Sequence, residues 1–61
     1  MCVIIIKDNK NKLIPLDVLR NAENTNPDGL GVVWLDTFEV TYHDSTDYSI
    51  LITTRPFIAH F

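Results

Sequence analysis

The residue with the clearest chemical potential in this sequence is Cys2, which directly follows Met1. Removal of Met1 would leave a cysteine that carries both a thiol and a free α-amino group. Free amines and free thiols titrate close to one another near neutral pH, so the amine can accept the proton of its own thiol and activate it. Cys2 is therefore a candidate N-terminal nucleophile, whereas a cysteine considered alone is more often a small buried apolar side chain.

The other polar side chains give weaker signals. His43 lies near Asp44 and Asp47, but one imidazole and two carboxylates in a loop do not make the ligand set of a typical zinc site. We therefore predict no metal and no other cofactor. His60 lies in an apolar stretch, where a hydrogen-bonded core histidine is the preferred interpretation and a place in the wall of a site is the alternative.

The overall charge and the apolar pattern exclude several classes of partner. The net charge is −3 and no basic cluster is present, so we expect no nucleic acid partner. No apolar run approaches the length of a membrane span, and the run 2–6 is too short for a signal peptide, so we expect no membrane partner. A single cysteine fits a reducing compartment, and we place the chain in the cytoplasm.

Apolar patterns predict the elements that must hold Cys2 in place. β-branched residues dominate 2–6, which predicts a buried strand that begins at the cysteine. Two further strands at 30–35 and 38–43 flank Asp36-Thr37, which indicates a hairpin. The second of them alternates apolar and polar residues, so we expect its apolar side to be buried. The aromatic residues of these strand-like runs are assigned to the core; they are Trp34, Phe38, Tyr42, Phe57 and Phe61.

The remaining segments predict helices and turns. Pro15 opens a short amphipathic helix that reaches about Glu23. The turn-rich stretch 24–29 ends this helix, and Gly29 is free to adopt a positive φ. Residues 44–56 could form either a short helix, which Ser45 would cap, or a strand, and the sequence pattern does not decide between the two. An apolar strand follows at 57–61, and 61 residues can build only one small core of marginal stability.

Three stretches share the order and approximate spacing of motifs in one enzyme family. They are MCVIII at the start, NPDGLGVVW at 26–34 and FIAHF at 57–61. The first is similar to a Met-Cys-Gly-Ile opening, the second to a turn that leads through Asp and two small residues into an apolar strand, and the third to an apolar strand that carries a His. On these motifs the chain resembles the class II glutamine amidotransferases, which are N-terminal-nucleophile (Ntn) hydrolases.

The resemblance implies a fold, an activity and residue roles. The implied fold is α+β, a partial Ntn-hydrolase (αββα) fold with a mainly antiparallel sheet and one or two short helices. Cys2 would attack the side-chain amide of glutamine, or of a related amide, to form a γ-glutamyl thioester and release ammonia. Asp28, Gly29 and Gly31 would shape the turn and the strand beside the active site, and His60 matches the motif histidine.

The sequence also departs from the family pattern. Val3 replaces the usual Gly after the nucleophile and adds bulk beside it. The family's Arg for the glutamine carboxylate, its Asn-Gly oxyanion hole and a later Asp find no match in 1–61. Loss of even one oxyanion donor costs about 10²–10³ in rate, so 1–61 alone is expected to be inactive as a glutaminase. We interpret 1–61 as a single domain or as the N-terminal fragment of a glutamine amidotransferase-like domain.

A second hypothesis is a binding function without catalysis. A small acidic module, of the compact kind found in bacteriophage genomes, would dock on a host or virion protein. Its small core and open last strand would be completed by a protein partner or by self-association through a strand edge. Retention of Met1 on the mature protein would favour this hypothesis, because the amine of Cys2 would then be blocked.

Overall fold

The computed structural model describes residues 2–61, so the removal of Met1 that an N-terminal nucleophile requires concerns a residue outside the described range. Residues 2–61 form four strands, one α-helix and one 3-10 helix, and the predicted α+β class with antiparallel strands is confirmed. In chain order the elements are β1 (Ile4–Lys7), α1 (Leu16–Thr25), β2 (Leu30–Trp34), β3 (Glu39–His43), a 3-10 helix (Ser45–Leu51) and β4 (Phe57–His60).

The strands form one antiparallel sheet in the order β1-β4-β2-β3. The last strand in sequence, β4, is therefore central, and β2 and β3 form the predicted hairpin at the other side. Val3 and Phe61 continue the pairing of β1 with β4 by one row, with N···O distances of 3.3 and 2.9 Å between their backbones. The backbone next to Cys2 is thus tied to the end of the central strand.

The register of the strands assigns the side chains to two faces of the sheet. Ile5, Ala59, Val32 and Thr41 lie in one row across the sheet and so share a face. Helix α1 and the 3-10 helix cover this face, and the core lies between them and the sheet. The buried core residues are Leu19, Ala22, Leu30, Val32, Trp34, Leu51, Phe57, Ala59 and Phe61.

The opposite face, which we call the open face, is apolar but uncovered within the described residues. Its side chains come from two rows of the register, and they are Ile4, Gly31, Tyr42 and His60 in one row and Ile6, Val33, Val40 and Ile58 in the other. The prediction of a buried first strand is wrong for Ile4 and Ile6, which are exposed on the edge strand β1. The apolar side of β3 is also exposed, because both helices lie on the other face.

The aromatic residues divide in the same way. Trp34, Phe57 and Phe61 are in the core, as predicted, but Tyr42 on the open face and Phe38 in the hairpin loop are exposed. The assignment of these last two to the core is therefore wrong. Phe38 is also the only non-glycine residue in 2–61 with a positive φ, 61°.

The two helical segments differ from the predictions in detail. Helix α1 extends to Thr25, where the Asn26 N–H donates to the Ala22 carbonyl at 3.1 Å. The open question at 44–56 is resolved as the 3-10 helix followed by irregular chain. Ser45 does not cap this helix, since its hydroxyl donates to the carbonyl of Pro27 at 2.9 Å. That bond fixes the turn that precedes β2.

One end of the sheet, which we call the anchored end, is held by several specific contacts. The Trp34 and Phe57 rings meet edge to face with centroids 5.9 Å apart, and the Arg55 guanidinium lies 4.1 Å from the Trp34 ring centroid. Arg55 also binds both carboxylate oxygens of Asp36, at 2.8 and 2.9 Å. Lys7 is buried, and its Nζ donates to the backbone carbonyl oxygens of Asn9, Thr54 and Arg55 in the neighbouring loops.

Candidate functional site

An open cavity of about 500 Å³ lies at the opposite end of the sheet, where β1 and β2 begin and β3 and β4 end. We call this the cavity end. All five residues selected from the sequence line the cavity, although they come from three distant stretches of the chain. Among residues 2–61, the wall consists of Cys2, Asn26, Asp28, Gly29, Leu30, Gly31, Tyr42, His43, His60 and Phe61.

Cys2 precedes β1 and is exposed at the cavity. The paired backbones of Val3 and Phe61 hold the chain on its C-terminal side. The alternative of a small buried cysteine does not describe this residue. A thiol that is accessible and borne by an ordered backbone satisfies the first geometric requirement of a nucleophile.

The turn before β2 supplies the next part of the wall. Asp28 is exposed, and the buried Asn26 lies at the end of α1, where its side-chain amide donates to Thr25 Oγ1 at 3.0 Å. Gly29 does not use the positive φ that its type allows, so that expectation is wrong. A Cβ at Gly29 would lie 4.0 Å from the His43 carbonyl oxygen, which leaves enough space for a side chain.

Gly31 has a clearer role in shaping the cavity. It pairs with Tyr42 across the hairpin, and two Tyr42 ring carbons lie 3.7 Å from the position that a Cβ of Gly31 would occupy. The tyrosine ring therefore lies against the bare backbone of β2, an aromatic cover for a strand glycine. A methyl group at Gly31 would only touch this ring, so a side chain longer than that of alanine would be needed to displace it.

Two histidines lie on different faces at the cavity end. His60 is exposed on the open face, in the row of Ile4 and Gly31, so its interpretation as a core histidine is wrong. His43 is partly buried, with Nε2 2.8 Å from Thr41 Oγ1. Because Thr41 Oγ1 also accepts the indole N–H of Trp34 at 3.0 Å, its own proton is free to be donated to His43.

The charges of the wall define what it can do chemically. Within residues 2–61 it contains one carboxylate, two imidazoles and one thiol, and no Lys or Arg. No group of three or more His, Cys, Asp or Glu side chains in that range is placed to hold a metal ion. The described wall can thus supply a nucleophile and groups that exchange protons, but it offers no fixed positive charge for a substrate carboxylate.

Five wall residues beside the selected ones were not predicted from the sequence. Tyr42 could have been found from the hairpin, because a turn centred on Asp36-Thr37 places it opposite Gly31. Phe61 adjoins His60, and Asn26 opens the stretch that contains Asp28 and Gly29. His43 and Leu30 carry no local signal, since their position in the wall follows from the alignment of strand ends.

A scan against protein-family models found no match to this chain, and searches of curated proteins and of solved structures found none. Among the described residues, no helix has both the length and the apolar character needed to cross a bilayer. The functional assignment therefore depends on the motifs and on the geometry of the cavity.

Proposed function

We propose that this chain carries the nucleophile segment of a class II glutamine amidotransferase-like Ntn hydrolase. One observation supports this proposal above all others. Cys2, Asp28, Gly29, Gly31 and His60 were selected from three motifs, and all of them line one cavity. Because 26 residues separate Cys2 from Asp28 and a further 32 separate Asp28 from His60, proximity in sequence does not explain their convergence.

In the proposed reaction, the α-amino group of Cys2 accepts the thiol proton once Met1 has been removed. The sulfur then bonds to the side-chain amide carbon of glutamine, and the C–N bond of the resulting tetrahedral species breaks. The departing nitrogen takes the proton from the amine and leaves as ammonia. Water hydrolyses the remaining γ-glutamyl thioester to glutamate and restores the thiol. No cofactor takes part in these steps.

The layer order of the fold is compatible with this family. One face of the sheet carries the helical layer, and the other is apolar and uncovered in residues 2–61. An αββα sandwich would have the same order across its first two layers, with a second sheet against the open face. We propose that the described sheet is such a half, in a cytoplasmic protein whose single cysteine stays reduced.

The described wall also limits the rate that these residues can reach. It includes no Arg or Lys to bind the substrate carboxylate, and no match to the family's oxyanion hole occurs in the sequence. Each missing oxyanion donor costs about 10²–10³ in rate. We therefore expect residues 1–61 to show selective chemistry of the thiol but glutamine turnover close to background.

The proposal is tested by labelling the thiol with an electrophilic glutamine analogue and with iodoacetamide, followed by intact mass spectrometry. The control is a Cys2→Ala, Ser49→Cys variant, which moves the only thiol to an exposed position outside the cavity wall. We expect the ratio of analogue rate to iodoacetamide rate to be at least about tenfold higher for Cys2. Excess glutamine should slow the analogue at Cys2 alone.

A second version of the experiment tests the role of the Cys2 amine separately from that of the cavity. Acetylation of the Cys2 amine, or retention of Met1, should reduce the analogue rate at Cys2 while the cavity stays intact. Equal rate ratios for the two thiols, with no protection by glutamine, would show that the cavity does not recognise the substrate. The nucleophile proposal would then be lost.

The binding hypothesis keeps one specific support, which is the apolar open face with its free strand edges. If Cys2→Ala leaves every property of the protein unchanged in the cell, docking on a host or virion protein becomes the better proposal. If the biological effect disappears with the thiol, a purely adhesive function is contradicted. The measurement is complementation by the two versions of the chain at equal abundance.

A further inference from the structure

The open face is an extended apolar surface that the described chain does not cover. Its most exposed side chains range from 54% for Val40 to 82% for Tyr42, with Ile4 and Ile6 between them. With the partly buried side chains of the same face, they present on the order of 700 Å². The largest apolar patch of a typical monomer is about 300–600 Å², so this face has the character of an interface.

We infer that a second copy of this chain covers the open face, so that two sheets pack face to face about a two-fold axis. The area agrees with such a dimer, because each partner in a standard interface buries about 800 Å². An apolar face is also compatible with its own copy, as a two-fold interface requires. The second copy would supply the second sheet that the proposed fold places against the open face. The dimer itself does not depend on the proposed activity, since neither the thiol nor the substrate takes part in it.

The distribution of charge favours a second copy over a charged partner. Each chain carries a net charge of −3, which would oppose self-association through most of its surface. One of the two rows of the open face, however, contains only Ile6, Val33, Val40 and Ile58. The acidic residues Asp17 and Asp47 belong to the two helices on the other side of the sheet. An interface centre without charged side chains is typical of stable complexes.

The geometry of the dimer follows from the rules of sheet packing. Two sheets in contact lie about 10 Å apart with their strands within about 30° of each other. An axis near Val33 and Ile58 would give the layer order helix, sheet, sheet, helix from two chains. Tyr42, which lines the cavity, would then lie near the rim of the interface.

The dimer is tested by sedimentation velocity over roughly 5–500 µM protein. Wild type should sediment as a dimer in the upper part of this range. Val40→Glu places a carboxylate on the open face beside Val33 and should raise the dissociation constant on the order of 100-fold. The matched control is Val18→Glu, the same substitution at a 43% exposed position of α1, which should leave dimerisation unchanged.

Two further measurements keep the result decisive. Ile6→Glu, on the other side of the open face, should weaken the dimer as Val40→Glu does, and far-UV circular dichroism reports whether both variants fold. If neither variant folds, the Tm of wild type decides the matter, because a dimer requires Tm to rise with protein concentration. Cys2→Ala should dimerise as wild type does while losing the analogue adduct, which separates this inference from the proposed enzyme function.

Three results would overturn the dimer. The first is a wild type that stays monomeric at every concentration with a constant Tm. The second is equal association of wild type and Val40→Glu, which would place the contact at a strand edge or on the helical layer. The third is growth into open-ended assemblies, which would indicate edge-to-edge pairing of β1 or β3.

Discussion

The anchored end and the cavity end of the sheet use the same four strands but are built differently. At the anchored end, Trp34 and Phe57 pack in the core, Lys7 binds three carbonyl groups and Arg55 binds Asp36. At the cavity end, the exposed side chains of Cys2 and His60 border an open space. The comparison indicates that stabilising contacts are concentrated away from the candidate chemistry, as expected when function requires accessible groups.

The largest difference between the two ends should appear in Phe57→Ala. Phe57 is fully buried, and its loss removes the partner of Trp34 and leaves a cavity, at a cost of about 3–5 kcal/mol. That is a large part of the stability of any small domain. The matched change at the cavity end, His60→Ala, should alter the free energy of unfolding by less than about 0.5 kcal/mol. Urea denaturation at one fixed protein concentration measures both, and equal losses would contradict the comparison.

Lys7→Met should have the next largest effect. The variant keeps the buried aliphatic stem but removes the donor to three loop carbonyls, and we expect a loss of about 2 kcal/mol. Lys10→Met removes the same charge from an exposed loop position and should change stability by less than about 0.5 kcal/mol. If both variants lose the same amount, the effect comes from charge and not from the carbonyl contacts.

The sequence predicted the strands of this fold better than the contacts between distant parts of the chain. Strand positions and the hairpin followed from runs of apolar and β-branched residues, because such residues favour extended chain. The pattern of β3 showed that Val40 and Tyr42 share a face, but it could not show which face the helices would cover. Ser45 was equally beyond local inference, since its partner Pro27 lies 18 residues away. The contacts of Lys7 with the loop near Arg55 span 47 and 48 residues and left no local pattern.

The residues of the candidate site were chosen for a different reason. Cys2, Asp28, Gly29, Gly31 and His60 were selected through motif resemblance, which carries information about spatial proximity that composition does not. The resemblance did not indicate the environment of each side chain. His60 was therefore interpreted as a core residue, although its row of the register lies on the uncovered face.

A smaller effect of opposite sign is expected from Phe38→Gly. Phe38 adopts φ 61° in the hairpin loop, a conformation that is unfavourable for an L-residue with a bulky side chain and that glycine adopts readily. We expect a gain of about 1 kcal/mol in the free energy of unfolding. Phe38→Ala removes the ring but keeps the strained backbone, so it should not give this gain. Stabilisation by both variants would attribute the effect to the exposed ring instead.

The smallest effect should come from the ion pair at the anchored end. The hydrogen bond from Arg55 holds the pKa of Asp36 below its ordinary value of 3.8. A lowered folded-state pKa adds stability above the unfolded value, and that stability is lost as the pH falls through the folded value. Wild type should therefore exceed Asp36→Asn slightly in Tm at neutral pH, and the two should converge below pH 3.8. A constant difference down to pH 2, about two units lower, would contradict the ionic origin.

The central position of β4 has a consequence for the order in which the chain folds. β1 bonds only to β4, so the first strand finds no partner in the sheet until the last strand is available. Contacts between such distant segments slow folding, because the entropy of closing a long loop is lost before the strand pairing can stabilise the chain. During synthesis on the ribosome Cys2 would therefore acquire its surroundings only after β4 has emerged. A reaction of the kind proposed for this thiol would have to wait until the described chain has folded around it.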